Sequence, residues 1–230
     1  MHTVIISGAS GNLGKSIVRR FLEGSWRVYA LCRQEEDTKS LVNDFATFAH
    51  LLNAVACNLS DTTSLGHFFS TSGLRSCDAV IHTAGGIQAG TSLEETPPET
   101  VLAMLEINYI TAFHLLRLAV PLLKVRGGAV LTIGAKSALE PEKNKAAYSA
   151  SKAALIALTQ ATAHEGKPHN IRANCIVPSI IDTPQNREWG KPEDVAKWIT
   201  PETIADAAWM LCTDGGQGIS GALLPMYGKM

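Results

Sequence analysis

The sequence predicts a doubly wound α/β fold, with a mostly parallel seven-stranded sheet and helices on both faces, forming one domain over residues 1–230. Three observations lead there. Short β-branched runs alternate with longer helical patterns along nearly the whole chain, the order that builds βαβ units. A glycine-rich turn stands directly after the first such run and opens the first helix. The 230 residues, 46% hydrophobic and 18% charged, suffice for one sizeable core, and no repeat, low-complexity tract or linker divides them.

The totals also exclude function classes. A formal net charge of −1 offers no basic excess to attract nucleic acid or anionic lipid, so neither is expected as a partner. Five cysteines (Cys32, Cys57, Cys77, Cys175 and Cys212) are odd in number and widely spaced, with no CxxC or Cys/His cluster. That pattern suits reduced, buried thiols in a cytoplasmic protein. The chain enters its first strand without a charged lead and apolar signal core, and no run approaches about 18 apolar residues, so neither secretion nor membrane spanning is expected.

Taken in order, the first strand is Thr3 to Ser7. Gly8-Ala9-Ser10-Gly11-Asn12-Leu13-Gly14 follows, and Leu13, Ile17, Val18, Phe21 and Leu22 recur at helical spacing behind it. Glycines there permit a tight turn and let backbone approach a pyrophosphate, whose charge meets the amides of the new helix. The second strand, Arg27 to Leu31, ends at Cys32 and Arg33, about twenty residues beyond the glycines, where a ribose-reading side chain is expected. No acid stands at that strand end to accept from a 2′-hydroxyl, whereas Arg33 can neutralise a 2′-phosphate. The cofactor expected is therefore NADPH rather than NADH. The alternative for Arg33 is a solvated arginine ahead of the Glu35-Glu36-Asp37 run.

A third strand near Ala54 to Cys57 leads into Asn58-Leu59-Ser60-Asp61, where Asn58 can face an adenine and Ser60 or Asp61 can cap a helix from Thr62. Asp78 to His82 forms the fourth strand and closes in Thr83-Ala84-Gly85-Gly86, a second glycine turn at the carboxyl edge where such sheets bind ligands. Pro97 and Pro98 open a helical region running past Asn108 to Leu123. Asn108 lies among apolar positions in mid-helix, where its amide serves either a buried structural hydrogen bond or a functional one. Ala129 to Ile133 is the fifth strand, and a loop from Gly134 to Lys145 delivers the chain to a helix ending near Gly166. Ile171 to Val177, broken by Pro178, is the sixth strand. An irregular stretch from Asp182 past Trp189 reads as a lid over the substrate side. A helix from Pro201 to Cys212 and a short strand near Ala222 to Leu224 complete the sheet.

The helix after the fifth strand carries Tyr148-Ser-Ala-Ser-Lys152 near its start. Helical positions i and i+4 share a face, so the Lys charge is expected to favour the ionised phenol and bring its titration down toward neutrality. This pairing is proton-donor chemistry; taken alone, it also arises readily by chance.

In this order and spacing, Gly8/Gly11/Gly14, Ala84-Gly85, Asn108, Tyr148-x-x-x-Lys152, Asn174 to Pro178 with Thr183, and Ile219-Ser220-Gly221 resemble the short-chain dehydrogenase/reductases over nearly the entire chain. The resemblance implies a Rossmann fold and an oxidoreductase acting on a small carbonyl substrate. It implies Tyr148 as general acid/base, Lys152 lowering the Tyr pKa and binding the nicotinamide ribose, and Asn108 holding a proton-relay water. It extends the cofactor site over Ser10, Asn12, Leu13, Leu59, Pro178, Ile181 and Thr183. Association through the helices of Asn108 and Tyr148 into a homodimer or homotetramer is likewise implied.

Two positions depart from the family pattern. The second glycine of short members falls at Asn12 here, and Gly11 takes its place; the resulting GxxGxxG looks more like extended members, whose greater length this chain lacks, or like dihydropteridine reductase. The family's catalytic serine, thirteen residues before the Tyr, is Ala135, with Ser137 the nearby hydroxyl. Dihydropteridine reductases also lack that serine and resemble this chain at Ala84-Gly85-Gly86, Gly134-Ala135-Lys136 and Asp182-Thr183-Pro184 with Asn186-Arg187. A pterin-like substrate is thus the alternative within enzymes, and a non-catalytic NADP(H)-binding sensor the alternative outside them.

Overall fold

The computed structural model describes residues 1–229. Seven strands, β1 (Thr3–Ser7), β2 (Arg27–Cys32), β3 (Leu52–Ala56), β4 (Ala79–His82), β5 (Gly128–Ile133), β6 (Ile171–Pro178) and β7 (Leu223–Met226), form one sheet in the order β3-β2-β1-β4-β5-β6-β7. Every neighbouring pair is parallel, so the sheet is entirely rather than mostly parallel. The reversal of strand order between β1 and β4 places a crevice at their carboxyl ends, the usual ligand position in such sheets.

The helices are α1 (Asn12–Glu23), α2 (Glu35–Asp44), α3 (Thr62–Thr71), α4 (Pro98–Leu105), α5 (Thr111–Leu123), α6 (Lys136–Leu139), α7 (Ala146–Gly166), α8 (Pro184–Arg187), α9 (Pro192–Val195) and α10 (Pro201–Cys212). Alternating strand side chains feed two cores, one on each face. Val4 and Ile6 join Phe21, Leu41 and Ile204 under α1, α2 and α10, whereas Ile5 and Val80 join Leu65, Leu115 and Ala163 under α3, α5 and α7.

Several boundaries differ from the sequence reading. β3 starts two residues before Ala54, and β7 extends to Met226. The acidic run at Glu35 opens α2, where its carboxylates meet the positive end of the helix. The lid stretch contains α8 and α9 and is tied down by the Ile181–Ile199 bridge, the Asp182–Arg187 ion pair and the Trp189–Trp198 contact. The helical region from Pro98 to Leu123 is interrupted by a π-helical segment, Glu106–Ile110, which holds Asn108. This region is long and apolar enough to cross a membrane, but its inner residues Leu115, Leu116, Ala119 and Leu123 lie in the core. Val101, Leu102 and Phe113 face outward.

Candidate active site

At the end of β1 the chain turns through Gly8 at φ +68°, and a side chain there would stand 2.6 Å from the Ala84 amide. Gly14 is equally constrained, since a Cβ would lie 2.1 Å from the Gly8 carbonyl oxygen. Gly11, whose Cβ would meet only that oxygen at 3.4 Å, leaves open space above the turn. Thr83 fixes the turn from the neighbouring strand, its Oγ1 donating to the Ser7 carbonyl at 2.7 Å. The start of α1 therefore presents its first free amides at the carboxyl edge, a site suited to phosphate. Asn12, where short members carry glycine, begins α1 and donates from Nδ2 to Gln185 Oε1 of the lid at 2.6 Å.

Along the same edge, Cys32 is buried at the end of β2 while Arg33 is exposed and forms no ion pair among the described residues. Asn58 Oδ1 accepts from the Ser60 amide at 3.1 Å, which shapes its own turn and leaves Nδ2 as the group free to face a base. The Leu59 carbonyl accepts from His114 Nδ1 of α5 at 3.2 Å.

The central cluster forms where the second glycine turn meets α7. Asn108 is fully buried; its Oδ1 accepts from the Gly86 amide at 3.0 Å, and its Nδ2 donates to the Gly86 carbonyl at 2.9 Å and to Ser151 Oγ at 3.1 Å. Ser151 Oγ donates in turn to the Tyr148 carbonyl at 2.7 Å. Asn108 sits in the π-helical segment, and its amide reaches across to the glycine turn beyond β4. Lys152 is buried and donates from Nζ to the Ile133 carbonyl at 2.8 Å. A Cβ on Gly85 would lie 2.7 Å from Asn108 Oδ1 and 3.1 Å from Lys152 Nζ, so only glycine lets these groups converge.

The electrostatics reverse one expectation. Burial pushes the Tyr148 phenol up to about 12, with Glu142 adding to the rise, and lowers the Lys152 ammonium to about 8. The Lys charge does not bring the phenol toward neutrality. Its Nζ is engaged by the Ile133 carbonyl, and desolvation of the phenolate dominates.

Ala135 leads into α6 in extended conformation with no hydroxyl to offer. Ser137 is buried, and its hydroxyl has no hydrogen-bond partner among the described residues, Tyr148 included. Pro178 ends β6, Ile181 bridges to Ile199, and Thr183 caps α8 by accepting from the Asn186 amide at 3.3 Å. Asn174 joins the chain before β7 to β6, donating to the Ile219 carbonyl at 2.9 Å and accepting from the Ala222 amide at 3.0 Å.

One residue in this region carried no sequence signal beyond strand membership. His82 is buried at the end of β4, with Nδ1 2.9 Å from Ser7 Oγ and Nε2 without a partner among the described residues. Burial first, and Lys152 second, push it down to about 3, so it is neutral. Parallel register lines up Ser7, His82, Thr132 and Cys175 across four strands on the α7 side of the sheet, a polar row under the helix that carries Lys152.

A family model described as short chain dehydrogenase matches residues 2–194. The chain is 28% identical over 240 residues to a 3-oxoacyl-[acyl-carrier-protein] reductase of Chlamydia muridarum, covering 98% of this chain and 96% of that protein. It is also 28% identical over 236 residues to the 7alpha-hydroxysteroid dehydrogenase of Escherichia coli K12, covering 97% and 92%. Among solved structures, a 3-oxoacyl-[acyl-carrier protein] reductase from Brucella melitensis superposes with TM-score 0.91 at 23% identity, over 100% of this chain and 91% of that one. ElxO with NADP bound superposes with TM-score 0.92 at 20% identity, over 99% and 97%.

Proposed function

Because the chain belongs to the short-chain dehydrogenase/reductase family of NAD(P)-dependent oxidoreductases, we propose that it is an NADPH-dependent reductase of small carbonyl compounds with Tyr148 as proton donor. The observation that carries this reading is the convergence of Asn108 and Lys152 on Gly85 at the carboxyl edge of the sheet, beside the glycine turn at Gly8.

The open backbone above Gly11 and the free amides of α1 fit a dinucleotide pyrophosphate, and the exposed, unpaired Arg33 fits a 2′-phosphate. Asn58 and Leu59 border the adenine side; Pro178, Ile181 and Thr183 border the nicotinamide side. NADPH, when bound there, supplies the hydride that reduces the substrate carbon. The chain's own residues do the rest. Tyr148 transfers its proton to the oxygen that becomes the hydroxyl; a phenol suffices, because an alkoxide is more basic than a phenolate. Lys152 stays at hand as a buried cation because the Ile133 carbonyl holds it, and it meets the ribose hydroxyls. Asn108 fixes the Gly86 backbone and so the floor of the site.

Ala135 in place of a serine favours a second reading, a substrate such as a quinonoid dihydropterin that needs no hydroxyl beside the phenol. Oxidation of NADPH in the presence of ketones, aldehydes and quinonoid dihydropterin separates the two. No turnover of any of them, with NADPH still bound, would leave a sensor instead.

Five unpaired, buried cysteines support a cytoplasmic location. The outward faces of α4, α5 and α7 support a homodimer or homotetramer. On α7 that face is Ala146, Ala150, Ala153, Ala157 and Ala161, all exposed, beside the exposed Val101, Leu102 and Phe113.

A further inference from the structure

Lys136 follows directly on Ala135, the position without a hydroxyl. Its Nζ stands 5.1 Å from the centre of the Tyr227 ring and 3.6 Å from Glu140 Oε2, and the side chain is 33% exposed. Tyr227 follows β7, and its carbonyl accepts from Ser179 Oγ just beyond β6 at 3.0 Å. Two residues later the chain reaches the lid, the Lys229 amide donating to the Lys197 carbonyl at 2.9 Å. The ammonium therefore stands at the carboxyl edge where the β5–α7 connection, the C-terminal segment and the base of the lid meet, on the same connection that leads to Tyr148.

We propose that Lys136 selects a carbonyl substrate bearing a carboxylate, an oxo acid, by anchoring that carboxylate at the cleft. The inference rests on the reductase reading above. The cation is supported by the aromatic face of Tyr227, while Glu140 is 61% exposed, a solvent-screened partner that an incoming carboxylate displaces readily. One cation with one nearby carboxylate suits a monoanion better than a dianionic phosphate. The need is set by Ala135. With no serine to fix the carbonyl oxygen, orientation must come from a remote part of the substrate, and a charged anchor supplies it.

The test compares kcat/KM for acid and methyl-ester pairs (pyruvate, acetoacetate and 4-oxopentanoate with their methyl esters) in wild type, Lys136→Met and Lys136→Glu. Wild type is expected to prefer the acid by tenfold or more in at least one pair. Lys136→Met should bring that ratio close to one, mainly through KM, and Lys136→Glu should invert it. As a one-third-exposed residue of a short helix, Lys136 should tolerate both changes without loss of fold, which a thermal melt checks. The same ratio in all three proteins, or an ester preference throughout, overturns the anchor while the reductase reading stands. No reduction of any acid, ester or simple ketone overturns that reading and the anchor with it.

Discussion

The ammonium of Lys152 and the carbonyl of Ile133 lie 2.8 Å apart in the interior, and that contact holds a cation that has no carboxylate partner among the described residues. Burial nevertheless lowers Lys152 to about 8. In the free enzyme the cation is present below that pH and lost above it. We expect kcat/KM for carbonyl reduction to fall as pH rises through about 8, with Tyr148, at about 12, protonated throughout. Stability runs the other way. From about 8 up to the ordinary 10.5 of a lysine, the unfolded chain binds a proton that the folded chain does not, so the Lys152 contribution to stability rises with pH in that window, while the buried thiols of Cys77 and Cys212, pushed up to about 12, oppose it above about 9. Lys152→Met should abolish that contribution, read as the wild-type-minus-variant difference between denaturation curves taken at pH 7.5 and 9. A rise that survives the substitution belongs to another group.

In the proposed reaction Tyr148 carries the proton transfer alone, since no described residue hydrogen-bonds its hydroxyl. Tyr148→Phe should lower the rate of reduction by roughly 10²–10⁴-fold, the usual contribution of a positioned acid. NADPH affinity and melting temperature should stay as in wild type. Near-wild-type turnover of the best substrate would remove Tyr148 from the chemistry.

Asn108 presents a separable prediction because its buried amide satisfies both backbone groups of the partly buried Gly86. Asn108→Ala strands the Gly86 N–H and carbonyl, and a buried unmade hydrogen bond costs about 1–3 kcal/mol. The midpoint of urea unfolding should fall accordingly, by ~2 kcal/mol or more in stability, with the slope unchanged. A loss below about 0.5 kcal/mol would mean that water replaces the amide.

How far the sequence alone reached can be seen in these same residues. Gly8 and Gly14 were readable because a turn that packs backbone on backbone admits nothing larger, and Tyr148 and Lys152 because helical periodicity fixes which residues share a face. The titration of that pair was not readable. It depends on which carbonyl captures the ammonium and how much water the fold removes, and both are tertiary facts. His82 escaped for a related reason: nothing in a strand sequence reveals that its ring will be buried between Ser7 and Lys152. Helix α2 was hidden by its charges, which read as solvated until a helix terminus gives them a partner. The lid's short helices depend on long-range ties, such as that between Ile181 and Ile199.

Arg33 is exposed at the end of β2 and forms no ion pair among the described residues, which in the proposed complex leaves its charge for the 2′-phosphate. Arg33→Ala should raise KM for NADPH by about ten- to a hundredfold, the range of a lost charge-assisted contact, and leave KM for NADH little changed. An unchanged preference would place the phosphate elsewhere.

The outer face of α5 and α7 offers the last test. A groove of about 310 Å³ runs between them, lined by Phe113, Arg117, Val120, Lys124, Leu158 and Thr162 among others. Phe113 is 41% exposed although it is a large apolar residue, and the adjacent exposed alanines of α7 let a second helix pair approach closely. Two copies related by a two-fold axis would bury this face against itself, each Phe113 facing the partner's helices. Phe113→Glu places a charge there that a buried interface does not tolerate and that an exposed surface accepts at little cost. Sedimentation velocity should then show the wild type as a dimer or tetramer and the variant shifted toward monomer, with far-ultraviolet circular dichroism unchanged. A variant that sediments as wild type would mean that the assembly uses another face.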